Sequence, residues 1–234
     1  MKKIYFLLLS AVLLCAYTLN AQTVDEIINK HIEALGGKEK LSQLKSLYTE
    51  SSVEAMGNVS SAKEYLVEGK GFKNETEFGG MKVINCYTDK SGWLLNPFSG
   101  STDPQAMPDE AYKAGKNQIF IGGSLVGYAA KGNKVEFIGK EGNNYKLKVT
   151  TGDAETFYLI DAETNLVSKT TQKADMMGQS VEIVVSFSDY KKTDFGIVVP
   201  YTKTTDFGGF ALTAKVTKIE VNKEIDPKTF EMSK

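Results

Sequence analysis

Arginine is missing from all 234 residues, and histidine occurs once, at His31. Without a guanidinium no site can grip a phosphate or carboxylate through a planar two-pronged donor. Cysteine occurs only as Cys15 and Cys86. One histidine and two thiols cannot furnish a nucleophile, base and orienting group. Serine, lysine and carboxylates are plentiful, but no spacing among them marks a catalytic set, so the chain reads as a non-enzyme. Positive charge is not in excess either: 28 lysines against 29 acids leave a net charge of -1. That balance excludes a basic nucleic-acid face and a polybasic membrane patch.

Metal and cofactor signatures are equally thin. Asp161-Ala162-Glu163-Thr164-Asn165 begins like a calcium loop but lacks its central glycine and closing glutamate, and reads as a hairpin turn. Asn74-Glu75-Thr76 matches a glycosylation sequon inside an expected strand and reads as chance. His31 sits beside Ile32 near an apolar helical stripe and reads as a surface or boundary histidine. No metal and no cofactor are expected.

The N-terminus carries Lys2 and Lys3, an apolar run from Ile4 to Ala16, and small Ala21. This is the build of a secretory signal peptide, with cleavage expected after Ala21 and one domain over residues 22–234. Leu14 stands where a lipoprotein signal needs a small residue, so lipid anchoring at Cys15 is disfavoured. Cleavage removes two lysines and no acid, taking the net charge to about -3. Cys86 then remains alone, no intramolecular disulfide is possible, and stability must come from the core.

What is present is β pattern. From Lys134 to Tyr190 short strands are broken by turn clusters too brief for a crossover helix, so neighbouring strands run antiparallel. Val135 and Phe137, Tyr145, Leu147 and Val149, Phe157 and Leu159, and Val181, Ile183, Val185 and Phe187 recur at every second residue and are expected on one face. Residues 48–96 alternate in the same way, with Gly79-Gly80 as a hairpin signal. A last hairpin turns at Gly208-Gly209, and a phase slip between Val216 and Ile219 predicts a bulge near Thr217-Lys218. The count is about ten or eleven strands, a width that curls towards a barrel or sandwich.

Two segments break that pattern. Val24, Ile27, Ile28, Ile32 and Leu35 form the stripe of a helix that Gly36-Gly37 stops, followed by a short turn carrying Leu41, Leu44 and Leu47. Between Pro97 and Gly132 lies an apolar insert interrupted by Gly115, Gly122, Gly123 and Gly127, with a helical first turn at Pro108-Asp109-Glu110. Such an insert is expected to roof the sheet's inner face. Trp93, Phe98, Met107, Ile119, Phe120, Ile121, Leu125, Val126, Met176 and Met177 cluster in or beside these segments and are the candidate lining of an apolar cavity.

Ala34-Leu35-Gly36-Gly37-Lys38-Glu39-Lys40-Leu41, Ser91-Gly92-Trp93 followed by Asn96-Pro97, Phe187-Ser188-Asp189-Tyr190, and Asn222 to Phe230 complete the pattern. In these stretches the chain resembles the LolA/LolB-like family of periplasmic lipoprotein carriers, most closely its outer membrane lipoprotein-sorting group. The resemblance implies a mainly β fold. Its core would be a single curved antiparallel sheet forming an unclosed half-barrel, with the N-terminal helix and the insert covering the concave face. It also implies a periplasmic carrier whose partners are lipid or lipoprotein acyl chains, and envelope membrane proteins, with no nucleic acid, acting as a monomer. One departure is that the family's lid is held by a buried arginine, which this chain does not have. The alternative function is an envelope sensor or protein-docking module whose cavity is filled by its own side chains; a hydrolase is the remote third.

Overall fold

The computed structural model of the chain describes residues 24–176 and 179–232. The expected leader with Cys15 and Ala21, Met177, and the side chain of Met176 lie outside the described residues. Residues 24–34 are helical (α1), followed by a short helix α2, Lys38–Ser42. A first meander contains β1 (Ser46–Ala55), β2 (Asn58–Val67), β3 (Gly71–Phe78), β4 (Met81–Thr88), β5 (Gly92–Leu95) and β6 (Gln105–Ala106). The insert then holds α3 (Asp109–Gly115) and two 3-10 turns, Pro97–Ser99 and Lys116–Ile119. A second meander contains β7 (Lys134–Glu141), β8 (Asn144–Thr151), β9 (Ala154–Asp161), β10 (Val167–Met176), β11 (Gln179–Lys192), β12 (Val198–Asp206) and β13 (Ala211–Val221), before a terminal 3-10 turn, Pro227–Phe230.

Among the described residues thirteen strands form one antiparallel sheet in the order β6-β5-β4-β3-β2-β1-β13-β12-β11-β10-β9-β8-β7. The ten or eleven expected strands were an undercount. β6 is two residues among prolines, and β10 reads Val-Ser-Lys-Thr-Thr-Gln-Lys-Ala-Asp-Met, with too few apolar side chains to alternate visibly. Both glycine-pair hairpins form as expected, Phe78 pairing with Met81 and Phe207 N–H bonding Phe210 O at 3.0 Å. The expected bulge is at Thr217: Glu50 pairs with Lys218 and Ser51 with Val216, leaving Thr217 unpaired.

The insert proves that the sheet curls. Asn117 lies 3.2 Å from Thr151 of β8, while Ile119, two residues on, accepts a 2.8 Å hydrogen bond from Gly69 in the β2–β3 turn. β3 and β8 are eight places apart in the strand order. In a flat sheet that is roughly 38 Å, at about 4.8 Å per strand. Two residues of chain cover at most about 7 Å. Only a strongly curved sheet brings both strands to one short segment, and among the described residues no hydrogen-bonded ladder joins β6 to β7, so the barrel stays open.

Cross-strand register sorts the side chains onto two faces. The concave face carries two plugs. In one, Val24, Ile27 and Ile28 of α1 and Leu125 of the insert pack on Leu147, Val149, Ile160 and Val167. In the other, Met107, Ile119, Tyr112 and Phe120 pack on Phe72, Tyr87 and Leu94. A third cluster lies on the convex face, where Phe230 and Ile225 of the C-terminal segment cover Ile84, Cys86, Trp93 and Leu95.

Three readings of the sequence need correction. Phe157 and Leu159 do not share the inner face of β9: Leu147 pairs with Tyr158 and Tyr145 with Ile160, so Tyr158 and Ile160 point inward. Phe-Tyr-Leu-Ile is an unbroken apolar run whose phase alternation cannot choose; the tight Gly152-Asp153 turn chooses it. His31 is not at the surface. It is buried on α1 with Nδ1 2.8 Å from the carbonyl of Asn165, and burial holds its pKa below the ordinary value. Leu47 likewise lies in β1 and not in a helical turn.

Candidate functional site

The plugs lie over β3 to β5 and over β7 to β10, and the middle of the concave face lies between them. Register places Ser51 and Val53 of β1, Ala62, Glu64 and Leu66 of β2, Leu212, Ala214 and Val216 of β13, Lys203 and Thr205 of β12, and Val185 of β11 on this strip. Val53 and Ala62 are buried; the rest are half-exposed although they face inward. Serine, alanine and threonine make a low floor there, while Leu66, Leu212, Val216 and Val185 give it an apolar border. We call this inward strip, where small side chains alternate with partly exposed Leu66, Leu212, Val216 and Val185, the trough.

Its one charged feature is an ion pair. Lys203 Nζ lies 3.0 Å from Glu64 Oε1, which also accepts from Asn74 Nδ2 at 3.2 Å; Thr76 Oγ1 in turn donates to Asn74 Oδ1 at 3.1 Å. The curl of the sheet surrounds the pair, yet solvent still reaches both side chains, as it does for groups lining a concavity. The Lys203 charge holds the Glu64 carboxyl below its usual range, and Glu64 in turn raises Lys203.

The insert is fastened at both ends of its crossing. At one, Asn117 Nδ2, Asn133 Oδ1 and Thr151 Oγ1 form a buried polar triangle with distances of 3.0, 3.2 and 2.9 Å. At the other, Glu68 accepts the Ile121 N–H, and Lys131 Nζ lies 4.4 Å from the Phe120 ring centroid while donating to Gly123 O at 2.7 Å. Burial raises the pKa of Glu68 and lowers that of Lys131.

The residues singled out in the sequence divide among these regions. Met107, Ile119 and Phe120 meet in the plug over β3 to β5, and Leu125 is fully buried in the α1 plug. Ile121 and Val126 are half-buried within the insert. Trp93 is elsewhere: its register partner Cys86 is on the convex face, and its indole N–H donates to Phe230 O at 2.9 Å. Phe98 is exposed beyond β5. Met176 ends β10. Of the trough residues the sequence marked Val185, by its alternation, and Val216, at the phase slip, but none as a site residue, because Ser, Ala and Thr beside them carry no signal until register shows what they oppose.

An open groove of about 920 Å3 runs along the outer side of α1, between Asp25, Asn29 and Glu33 and the Thr164-Asn165 turn. Most of the residues that line it are polar or charged. Among the described residues no group of three or more His, Cys, Asp and Glu is arranged to hold a metal ion. Cys86 is buried, with its thiol pushed up to about 12 by that burial.

Solved structures with this architecture define the class. A LolA superfamily protein from Nitrosomonas europaea superposes with a TM-score of 0.59 at 9% identity, over 91% of this chain and 97% of the other. A DUF1329 family protein from Desulfovibrio piger gives 0.58 at 15% identity, over 89% and 97%. A Vibrio parahaemolyticus domain described as outer membrane lipoprotein-sorting gives 0.52 at 14% identity, over 82% and 93%. No family model matches the sequence and no curated protein matches it. The chain therefore has the LolA-type fold, as the sequence motifs implied, at identities that speak for fold alone.

Proposed function

We propose that the protein is a periplasmic carrier that holds a lipid or a lipoprotein acyl chain in the trough between the two plugs. The observation that supports this reading is the set of half-exposed apolar side chains on an inward face, Leu66, Leu212, Val216 and Val185. Burying ten acyl methylenes against such a surface contributes about 8 kcal/mol before ordering costs. A carrier needs that scale of reversible affinity. The fold class supports the same reading, since one neighbour is described as lipoprotein-sorting. Binding without turnover fits the chemistry: Cys86 is buried on the convex face and His31 is tied to a backbone carbonyl under α1.

The test is lipid content and uptake. Protein recovered from the envelope and sprayed under native conditions should carry co-purified lipid, and a fluorescent fatty acid should bind it in solution. Ala214→Phe, which raises the trough floor at a half-exposed position, should reduce uptake at least about tenfold with little change in melting. Wild-type protein that arrives empty and takes up no fatty acid overturns the reading.

A further inference from the structure

The two rims of the sheet differ in a way the trough does not require. Antiparallel connectivity puts the β1–β2, β3–β4 and β12–β13 hairpins side by side on one rim. Each tip carries apolar side chains around glycine: Met56-Gly57 followed by Val59, Phe78-Gly79-Gly80-Met81, and Phe207-Gly208-Gly209-Phe210. Met56 is 84% exposed and Val59 71%, and Met81 and Phe210 are also exposed. Phe98, 60% exposed, follows β5 at the same rim. On the opposite rim the neighbouring turns read Glu68-Gly69-Lys70 and Asp89-Lys90-Ser91.

Local folding does not ask for these side chains. Met56 has φ +49, a left-handed conformation that asparagine or glycine adopts readily and methionine does not. A methionine held there against its backbone preference, fully in water, has a reason outside the hairpin. The stacked Phe207 and Phe210 rings, 4.8 Å apart, stand on a Gly-Gly turn where polar residues would serve.

We propose that this rim docks on the surface of a lipid bilayer, with the hairpin tips dipping into the interfacial layer. The apolar groups are separate points about two strand spacings apart, roughly 10 Å. A fluid interface accommodates separate points; a protein partner needs a contiguous pocketed patch. Charge selects the kind of bilayer. The three tips carry Glu54, Glu77 and Asp206 against Lys82 alone, and Lys82 is paired with Glu75. Such a rim is repelled by anionic lipid and suits a zwitterionic surface. Docking goes beyond the carrier reading and stands whether or not the trough holds a chain.

The experiment is flotation with phosphatidylcholine vesicles, comparing wild type with the triple variant Met56→Asn, Met81→Ser, Phe210→Ser, both produced with the same N-terminus. Wild type floats, and the triple variant partitions at least about tenfold less while melting like wild type, since asparagine suits the left-handed position. Phe210→Trp gains fluorescence quenching by brominated phosphatidylcholine that wild type, with Trp93 under the C-terminal segment, does not show. Fatty-acid uptake from solution persists in the triple variant, and flotation persists in Ala214→Phe, so failure of docking and failure of the carrier reading are separable. Equal flotation of variant and wild type, flotation only with added anionic lipid, or no flotation of wild type each overturns the proposal. So does a soluble protein complex that the triple substitution abolishes when vesicles do not bind.

Discussion

Gly71→Ala tests the convex core in a way that a probe already built into the chain can read. An ideal Cβ at Gly71 falls 2.7 Å from Phe230 Cγ and 2.8 Å from Cδ1, so the ring must shift. Phe230 is what the C-terminal segment contributes to Ile84, Cys86 and Trp93, and its carbonyl accepts the Trp93 indole N–H at 2.9 Å. Overpacking costs about 1–3 kcal/mol and a weakened buried hydrogen bond about 1 kcal/mol. Replacing a strand glycine returns about 0.5–1 kcal/mol. The net is a loss of about 1–3.5 kcal/mol, or roughly 2–14 °C in Tm for a chain of this size. Trp93 is the sole tryptophan, so denaturation followed by its emission reports this cluster directly. A red-shifted native spectrum should accompany the loss, and Phe230→Leu should make the double variant less damaged than the two single losses added. Fatty-acid uptake below the transition should be unchanged, because the concave face is untouched. A variant that melts within about 0.5 kcal/mol of wild type with unaltered emission would refute this packing.

The other predictions use the charged and polar groups. His31 is held below its ordinary pKa by burial, so the unfolded chain binds the extra proton first. Its contribution is complete above the unfolded value, about 6.5, and is lost as pH falls from there towards the folded value. Urea midpoints between pH 7.5 and 5 should therefore fall more steeply in wild type than in His31→Gln; parallel curves would be the contrary result. Lys203→Met strands Glu64 in the trough and should lower stability by about 1 kcal/mol, a modest figure because solvent still reaches the pair. The double variant Glu64→Leu, Lys203→Met should recover most of that loss; no coupling in the denaturation cycle would count against the pair. Asn117→Leu removes a donor from the buried triangle with Asn133 and Thr151 and should cost about 1–3 kcal/mol. Hydrogen exchange should then speed up across residues 117–133 ahead of the sheet, and uniform exchange would show that the triangle does not fasten the insert.

Much of this architecture was legible because its signals are local. Gly79-Gly80 and Gly208-Gly209 are turns whatever surrounds them, the Val216-to-Ile219 slip becomes the Thr217 bulge, and Gly36-Gly37 ends α1 at φ +122 and +90. The quoted motifs also have physical meanings. Asn222 Oδ1 accepts the Lys45 N–H, Tyr190 O–H donates to Val167 O, and Asp226 caps the last turn. What stayed hidden depends on pairing between distant strands. Only β1 meeting β13 decides that Val53 faces Ala214 and that Ser51 faces Val216. Trp93 looked like cavity lining because it is aromatic and near the insert; a one-residue difference in phase sends it to the other face of the sheet.

Strand order also explains where the proposed site falls. The first meander runs outward from β1 to β6 and the second starts at β7 on the far edge, returning to β13 beside β1. The chain between must pass from one edge of the curled sheet to the other, and on the way the insert occupies the ground over β3 to β5 and over β8. α1 takes what remains near β8 and β9. The central strands β2, β1, β13 and β12, the first and last of the two meanders, are the ones this route leaves uncovered. Small side chains on those strands then deepen the gap that topology created, and large ones would close it. A guest chain and the insert are therefore competitors for one face, so substitutions that loosen Asn117 or Glu68 should change uptake as well as stability.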